Sequence, residues 1–325
     1  MTRRRAAFAA LTILTVLVSG CGSPADPDGA PQTFVAPRPV GVQDPAVIPT
    51  GSAGPAPECE ALASLRPLGS VPAPGAMPAG STMARIAARG RLVVGVNQNT
   101  YLFGYRDATS GEIVGFDVDV AREVAAAIFG DWRGHIQLVA TTSAQRIPFL
   151  QEKKVDIVAN TMTMNCDRWR QVNFSTQYYQ AGQRLLVART STAKSIDDMS
   201  GKKVCAAAGS TSIQNIAAAP SKPVPVSVSD WTDCLVLLQQ GQVDGISTDD
   251  TILAGLAVQD PTTHMVGRTF TSEPYGLAMA KESEDFVRFV NGVLEQLRTD
   301  GRWATIYRRW LGPNVPTPPA ARYRD

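Results

Sequence analysis

The sequence predicts an α/β protein of two lobes with a cleft between them. Three observations lead there. From residue 91 onward short apolar runs alternate with helical patterns, at a spacing that fits mainly parallel sheets. The alternation comes as two series of similar length, one on each side of Tyr178 and Tyr179. The chain then closes on helices long enough to pack back on the first series.

The N-terminus is set apart. Of 325 residues, 44% are hydrophobic and 18% charged, which allows one large or two moderate domains. Arg3, Arg4 and Arg5 precede an apolar run over 6–18, then Ser19, Gly20 and Cys21 follow. A basic start, a short apolar middle and small residues at the end make residues 1–20 a signal peptide. The run is too short for a transmembrane helix, which needs roughly 20 apolar residues. Cleavage removes three positive charges, so the formal +2 becomes 2 − 3 = −1, and a nucleic-acid binder is excluded. The placement of Cys21 resembles a bacterial lipobox. That implies a lipidated N-terminus and an exported protein tethered to the cell membrane, since two or more acyl chains anchor stably. A plain secretory signal with an incidental cysteine is the competing reading.

Residues 21–80 are rich in Pro, Gly and Ala with almost no apolar period, and read as a flexible tether. Cys59 interrupts it. With Cys166, Cys205 and Cys234 it makes an even set, which in an exported chain favours two disulfides in one of three connectivities. No pair has Cys-x-x-Cys spacing and the only histidines are His135 and His264, so no metal site is expected.

In the first series, 83–88 fits a short helix that Gly90 stops. Strands follow at 91–96 and 113–116. A helix over 117–129 carries Val120, Val124 and Ile128 at i, i+4 and i+8. A strand at 136–140 leads to Thr142 or Ser143, either able to cap the helix that bears Arg146 and ends near Glu152. A buried strand at 155–159 then runs into Thr161, Met162, Thr163, Met164, Asn165, Cys166, Asp167 and Arg168. Alternation puts both threonine hydroxyls on one face and both methionines in the core. Asn165 can cap a new helix whose first turn holds Arg168. Hydroxyls, free N–H groups and a guanidinium together suit a small carboxylate.

The second series has strands at 183–188, 203–207, 224–228 and 243–247. The 203–207 strand ends at Gly209, Ser210, Thr211 and Ser212, which open a helix. A helix over 231–240 has Trp231, Cys234, Leu235 and Leu238 on one face, and one over 251–258 follows Asp249 and Asp250. Asp250 is the better N-cap of the two. After a strand at 275–280, Phe286, Phe289, Val290, Val293, Leu294 and Leu297 form a core stripe, and a last helix holds Trp303, Ile306, Tyr307 and Trp310. Ligands in such sheets bind beyond the carboxyl ends of strands, here at Asn97, Thr161, Gly209 and Asp249.

Leu92-Val93-Val94-Gly95-Val96, Gly115-Phe116-Asp117-Val118-Asp119, Val155-Asp156-Ile157-Val158 with Thr161, Thr163 and Arg168, Gly209-Ser210-Thr211-Ser212, Val243-Asp244-Gly245 with Asp249, and Glu273-Pro274-Tyr275-Gly276 occur in this order. From about 91 to 311 the chain thereby resembles the polar amino-acid binding proteins of bacterial ABC importers. The resemblance implies a type II periplasmic-binding-protein-like fold whose lobes are joined by two crossover strands and close like a clamp. Lobe 1 would be 81–182 plus 278–312, lobe 2 would be 183–277, and 313–325 a C-terminal tail. On those lobes Cys205 and Cys234 meet within lobe 2, which leaves Cys59 for Cys166.

By the family pattern Arg168 grips a ligand α-carboxylate with Thr163 and nearby N–H groups, Thr161 lies at the same strand end, and Ser210 and Thr211 contact the carboxylate from lobe 2. Asp249 receives the α-ammonium. Arg146 reads the side chain, with Asn97, Gln98 and Tyr101 as the wall. The segment 143–148 looks like the glutamate and aspartate variant. Two arginines and one aspartate total +1, which matches an acidic amino acid at −1. Asn97 and Ala207 depart from the pattern of relatives with other ligands, so asparagine and glutamine stay open. On residue type alone, Arg146 also fits a solvated helix position and Tyr101 surface packing. Expected partners are the ligand, an importer permease and the membrane through the lipid anchor. A monomer without cofactor or catalysis is expected. The alternatives are an enzyme on the same scaffold, like cyclohexadienyl dehydratase, and an amino-acid sensor that signals to a membrane partner.

Overall fold

The structure is a computed structural model that describes residues 36–48 and 59–325; the signal sequence and Cys21 lie outside these. Leu92–Val96 is apolar throughout and forms an interior strand of a five-stranded sheet. It runs parallel to Ile136–Ala140 on one side and to Ile157–Val158 on the other. Beyond Ile157–Val158 comes Ala278–Met279, antiparallel, and then Asn173–Phe174. The second sheet repeats the plan. Lys203–Ala207 lies parallel to Val224–Val228 and Gly245–Asp249, after which comes Gln183–Ala188, antiparallel to Gly245–Asp249, and then Thr263–Val266, antiparallel to Gln183–Ala188.

The fold is therefore the two-lobe type II arrangement, with Tyr179–Ala181 and Glu273–Tyr275 paired antiparallel as the two crossovers. The expectation of mainly parallel sheets needs correction, because two of the four pairings in each sheet are antiparallel. The reason lies in the hinge. Strands fed by helices point their carboxyl ends at the cleft, whereas the strand that enters a lobe from a crossover starts at the cleft and runs away from it.

Other differences are local. Ile113–Val114 belongs to a separate small antiparallel sheet with Gly104–Arg106 and Asn99–Thr100. The strand expected at 155–159 shortens to Ile157–Val158. Helix Phe116–Phe129 packs on one face of the first sheet with Glu284–Thr299 and Arg302–Leu311, joining Phe116, Ile128, Phe286, Leu294 and Trp303 in one core. Leu150, Met162, Met164, Trp169 and Phe174 fill the opposite face. Lobe 2 has its own core around Leu186, Val204, Ile213, Trp231 and Leu253. The disulfides are Cys205–Cys234 and Cys59–Cys166.

The two ends of the chain are not loose where the structure describes them. Gln43 forms a bridge to Ser227 on the edge strand of lobe 2, and Asp44 accepts from Arg38 and Lys203, each at 2.7 Å. Ala63–Ser64 pairs in parallel with Arg322–Tyr323. Ser64 and Leu65 are buried against Asn291, whose amide donates to Ser64 Oγ (2.8 Å) and Leu65 O (2.7 Å). The flexible tether expected to residue 80 is thus corrected for 38–48 and 59–80, and the C-terminal tail of 313–325 is held through Arg322–Tyr323. Proline and glycine remove periodicity from a sequence, but its scattered apolar residues still bury wherever a formed surface accepts them. Among the described residues no helix is long and apolar enough to cross a membrane.

Candidate functional site

The first lobe supplies two buried guanidiniums. Arg146 opens the short helix Arg146–Gln151 and is 3% exposed. Its Nε donates to Ser143 O (3.0 Å) and its Nη1 to Asn160 O (3.0 Å) and Thr161 O (3.4 Å). The cap expected from Thr142 or Ser143 is absent; Gln145 precedes the helix, and its Oε1 accepts from Thr142 N–H at 3.0 Å. Arg168 lies in the one-turn helix Cys166–Trp169, capped by Asn165 as expected (Arg168 N–H to Oδ1, 2.9 Å). It is 8% exposed, and its Nη1 donates to Thr163 O at 2.8 Å. Burial lowers both guanidinium pKa values, to about 9 for Arg146 and about 10 for Arg168, and Arg168 itself depresses Arg146 further.

The alternation read into 161–164 puts Met162 and Met164 in the core as expected, although Thr161 itself has φ 40°, a left-handed conformation that threonine rarely adopts. Its N–H donates to Asp117 Oδ2 (2.7 Å), and Tyr178 O–H donates to Oδ1 (2.6 Å). Burial pushes Asp117 up to about 7, against the pull of Tyr178, the Thr161 N–H and Arg146.

The second lobe supplies hydroxyls and a carboxylate. Ser210 caps helix Thr211–Ala218, accepting from Ile213 N–H (3.2 Å) and donating to Ala207 O (2.7 Å). Asp249 ends the central strand of the sheet and occupies the N-cap position of Asp250–Gln259, without a capping bond; the cap expected at Asp250 is not there, since Asp250 is already helical. Tyr275 O–H donates to Asp249 Oδ2 at 2.5 Å, while Oδ1 is buried with no hydrogen-bond partner. Burial, then the negative charge of Glu273, raises Asp249 to about 7.

These groups meet. A small cavity between the lobes is lined by Arg146, Thr161, Thr163, Arg168, Ser210, Thr211 and Asp249, all expected, and by Ser143, Ser212, Trp231 and Ile252. Both guanidiniums reach across to Gly209 O, at 3.4 Å from Arg146 and 3.3 Å from Arg168. The approach is close: a Cβ on Gly209, which has φ 75°, would sit 2.7 Å from Ala144 Cα.

The other three expected residues do not line the cavity. Asn97 turns its oxygen back to Asn99 N–H (2.6 Å) and Thr100 N–H (3.0 Å), and its amide donates to Asp230 of lobe 2 at 3.2 Å. Gln98 accepts from Arg106 Nη2 at 3.0 Å. Tyr101 packs on Tyr105, with ring centroids 4.8 Å apart, and against Gly255. Trp231 and Ser143 were legible only as a core residue and a cap. Ile252 carried no signal beyond its apolar helix, and Ser212 only its place in the Gly209-Ser210-Thr211-Ser212 motif.

A sequence model of the bacterial extracellular solute-binding proteins, family 3, matches residues 92–313. The chain belongs to this family. It is 38% identical over 231 residues to the ABC transporter glutamine-binding protein GlnH of Bacillus subtilis (strain 168), covering 71% of this chain and 84% of that protein. It is 31% identical over 239 residues to the glutamate-binding protein GluB of Corynebacterium efficiens, covering 70% and 79%. Among solved structures, an ancestral arginine-binding protein bound to glutamine superposes with a TM-score of 0.65 at 32% identity, covering 69% of this chain and 99% of that one. The relatives of this solute-binding protein are carriers for transport, not enzymes, which removes the dehydratase alternative. Members of the family work outside the cytoplasm.

Proposed function

We propose that this solute-binding protein captures an acidic amino acid, glutamate or aspartate, between its lobes and delivers it to an ABC importer. The carrying observation is the cavity lining: two guanidiniums opposite one carboxylate whose Oδ1 has no partner. In this reading Arg168 takes the α-carboxylate, Asp249 the α-ammonium and Arg146 the second carboxylate. The lining charges sum to 2 − 1 = +1, and the ligand carries −1. Charge-assisted bonds of this kind are the strong ones.

A second reading is an amide ligand. Asp117 and Glu273 are buried just behind the lining, and counting them gives 2 − 3 = −1, which removes the charge match to a dicarboxylate. The glutamine-binding relatives at 38% and 37% identity support that second reading. Calorimetry of the lipid-free protein with glutamate, aspartate, glutamine, asparagine and arginine separates the two. The dicarboxylates are expected to bind tightest; a win for glutamine or asparagine transfers the assignment to the amide, and a win for arginine refutes both. The lipid anchor at Cys21 lies outside the described residues. It is tested by membrane fractionation, where Cys21→Ala is expected to release the protein.

A further inference from the structure

Glu273 is a buried acid, 2% exposed, that the binding scheme above leaves without a task. It sits on the crossover strand Glu273–Tyr275. Its Oε2 accepts from Thr163 Oγ1 of lobe 1 (2.6 Å) and from Thr211 Oγ1 of lobe 2 (2.8 Å). Its Oε1 accepts from Thr271 Oγ1 (2.7 Å) and Asn215 Nδ2 (3.2 Å). Four neutral donors, two on each oxygen, thus hold it.

The partners differ in what lobe motion does to them. Met164 N–H to Pro274 O (2.8 Å) and Gly276 N–H to Met162 O (3.1 Å) tie the crossover strand to lobe 1, so Glu273 stays beside Thr163. Thr211 and Asn215 belong to helix Thr211–Ala218 of lobe 2. Spaced at i and i+4, they share one helix face. Closure therefore adds one donor to each carboxylate oxygen, from the same helix whose first turn lines the cavity. A threonine hydroxyl has a single proton. With those protons on Glu273, Thr163 and Thr211 turn only lone pairs to the cavity, where they can accept from a ligand ammonium but not donate to its α-carboxylate as the family pattern implied, so their orientation depends on this carboxylate.

We propose that Glu273 is a closure latch and a positioning residue: it receives Thr211 and Asn215 when the lobes meet and orients Thr163 and Thr211 for the ligand. The inference rests on the amino-acid reading for its second half only. The charge of Glu273 also bears on Asp249, which is faced by Tyr275, Asp250, Arg146 and Arg168 as well.

The test uses Glu273→Gln, Thr211→Val, their double variant and Asn215→Ala. Affinity for whichever of the five amino acids binds the wild type best is read by calorimetry from about pH 5.5 to 8.5. Glu273→Gln is expected to weaken binding by about tenfold or more and to move the midpoint of its pH dependence downward, because Asp249 loses a negative neighbour. Thr211→Val is expected to weaken the wild type but to change little once Glu273 is Gln. Wild-type affinity with an unmoved midpoint, or strictly additive losses, overturns the proposal. Small-angle scattering supplies a readout that needs no ligand: Glu273→Gln is expected to enlarge the radius of gyration, and an unchanged radius overturns the latch. If no amino acid binds the wild type, the functional reading fails while the scattering still decides the latch. If Glu273→Gln does not fold, the radii of Thr211→Val and Asn215→Ala decide it in the same way.

Discussion

Both lobes carry the same five-stranded plan, yet they bring opposite chemistry to the cleft. Lobe 1 contributes Arg146 and Arg168, already held in place by carbonyls of their own lobe at Ser143, Asn160, Thr161 and Thr163. Lobe 2 contributes hydroxyls and Asp249, with one oxygen left unmatched. Topology therefore decides where a site forms, at the strand ends, and the few residues standing there decide what it holds. The lobes also differ in how they are braced. Lobe 2 has a bridge of its own, Cys205–Cys234, while the bridge of lobe 1 reaches out to the N-terminal segment at Cys59.

The sharpest way to break this comparison is to disarm lobe 1. Arg168→Ala is expected to abolish binding of every amino acid, since removing one partner of a buried charge pair costs about 3–5 kcal/mol. Arg146→Ala is expected to abolish dicarboxylate binding and to spare part of any amide binding. Calorimetry measures both, and equal losses for all ligands in Arg146→Ala would show that Arg146 does not read the side chain.

The bracing difference comes next. Replacing Cys205 and Cys234 together by Ala is expected to lower stability by roughly 3–4 kcal/mol, from the loop of about 30 residues that the bridge closes. Denaturant titration followed by Trp fluorescence checks it; loss confined to affinity would contradict the placement of this bridge within one lobe.

Gly209→Ala tests how tightly the lobes must meet. The added Cβ meets Ala144 only when the cleft is closed, so about tenfold weaker binding or more is expected, beyond a left-handed strain of roughly 1–2 kcal/mol. Ligand titration together with melting separates the two contributions.

The most gradual effect is in pH. Asp249 is raised to about 7 in the folded protein, so below that value it holds a proton that an incoming ammonium must displace. Affinity is expected to rise with pH by up to about tenfold per unit and to level off above 7. The same shift makes folding stability without ligand fall as pH rises from about 4 to about 7, because only the folded state keeps the proton over that range. Asp249→Asn is expected to flatten the affinity profile. Asp117, also raised to about 7 behind Arg146, is the other group able to contribute, so Asp117→Asn is the control.

Much of the molecule was legible from residues alone. The stripe from Phe286 to Leu297 is the buried face of its helix, Asn165 caps the turn that holds Arg168, and Met162 and Met164 are core. Periodicity and capping are local, acting within a few residues, and so survive in the sequence. Seven of the ten expected ligand residues line one cavity because strand ends and helix starts are local features too. Asn97 shows the limit. Its position beside the cleft was readable, but its carboxamide is taken by its own loop and by Asp230, a choice made among competing partners in space.

What only the tertiary structure decided is of that second kind. The reversed strands arise because each crossover delivers the chain at the cleft end of a sheet. The burial of Ser64 and Leu65 depends on Asn291, more than 200 positions away. Glu273 gains its role from Thr163, Thr211 and Asn215, which lie 110, 62 and 58 residues from it. The sequence by itself determined the elements and the chemistry at their ends. Which buried groups share a proton or a charge followed from long-range packing, because such partnerships depend on distance in space, and that has no period along the chain.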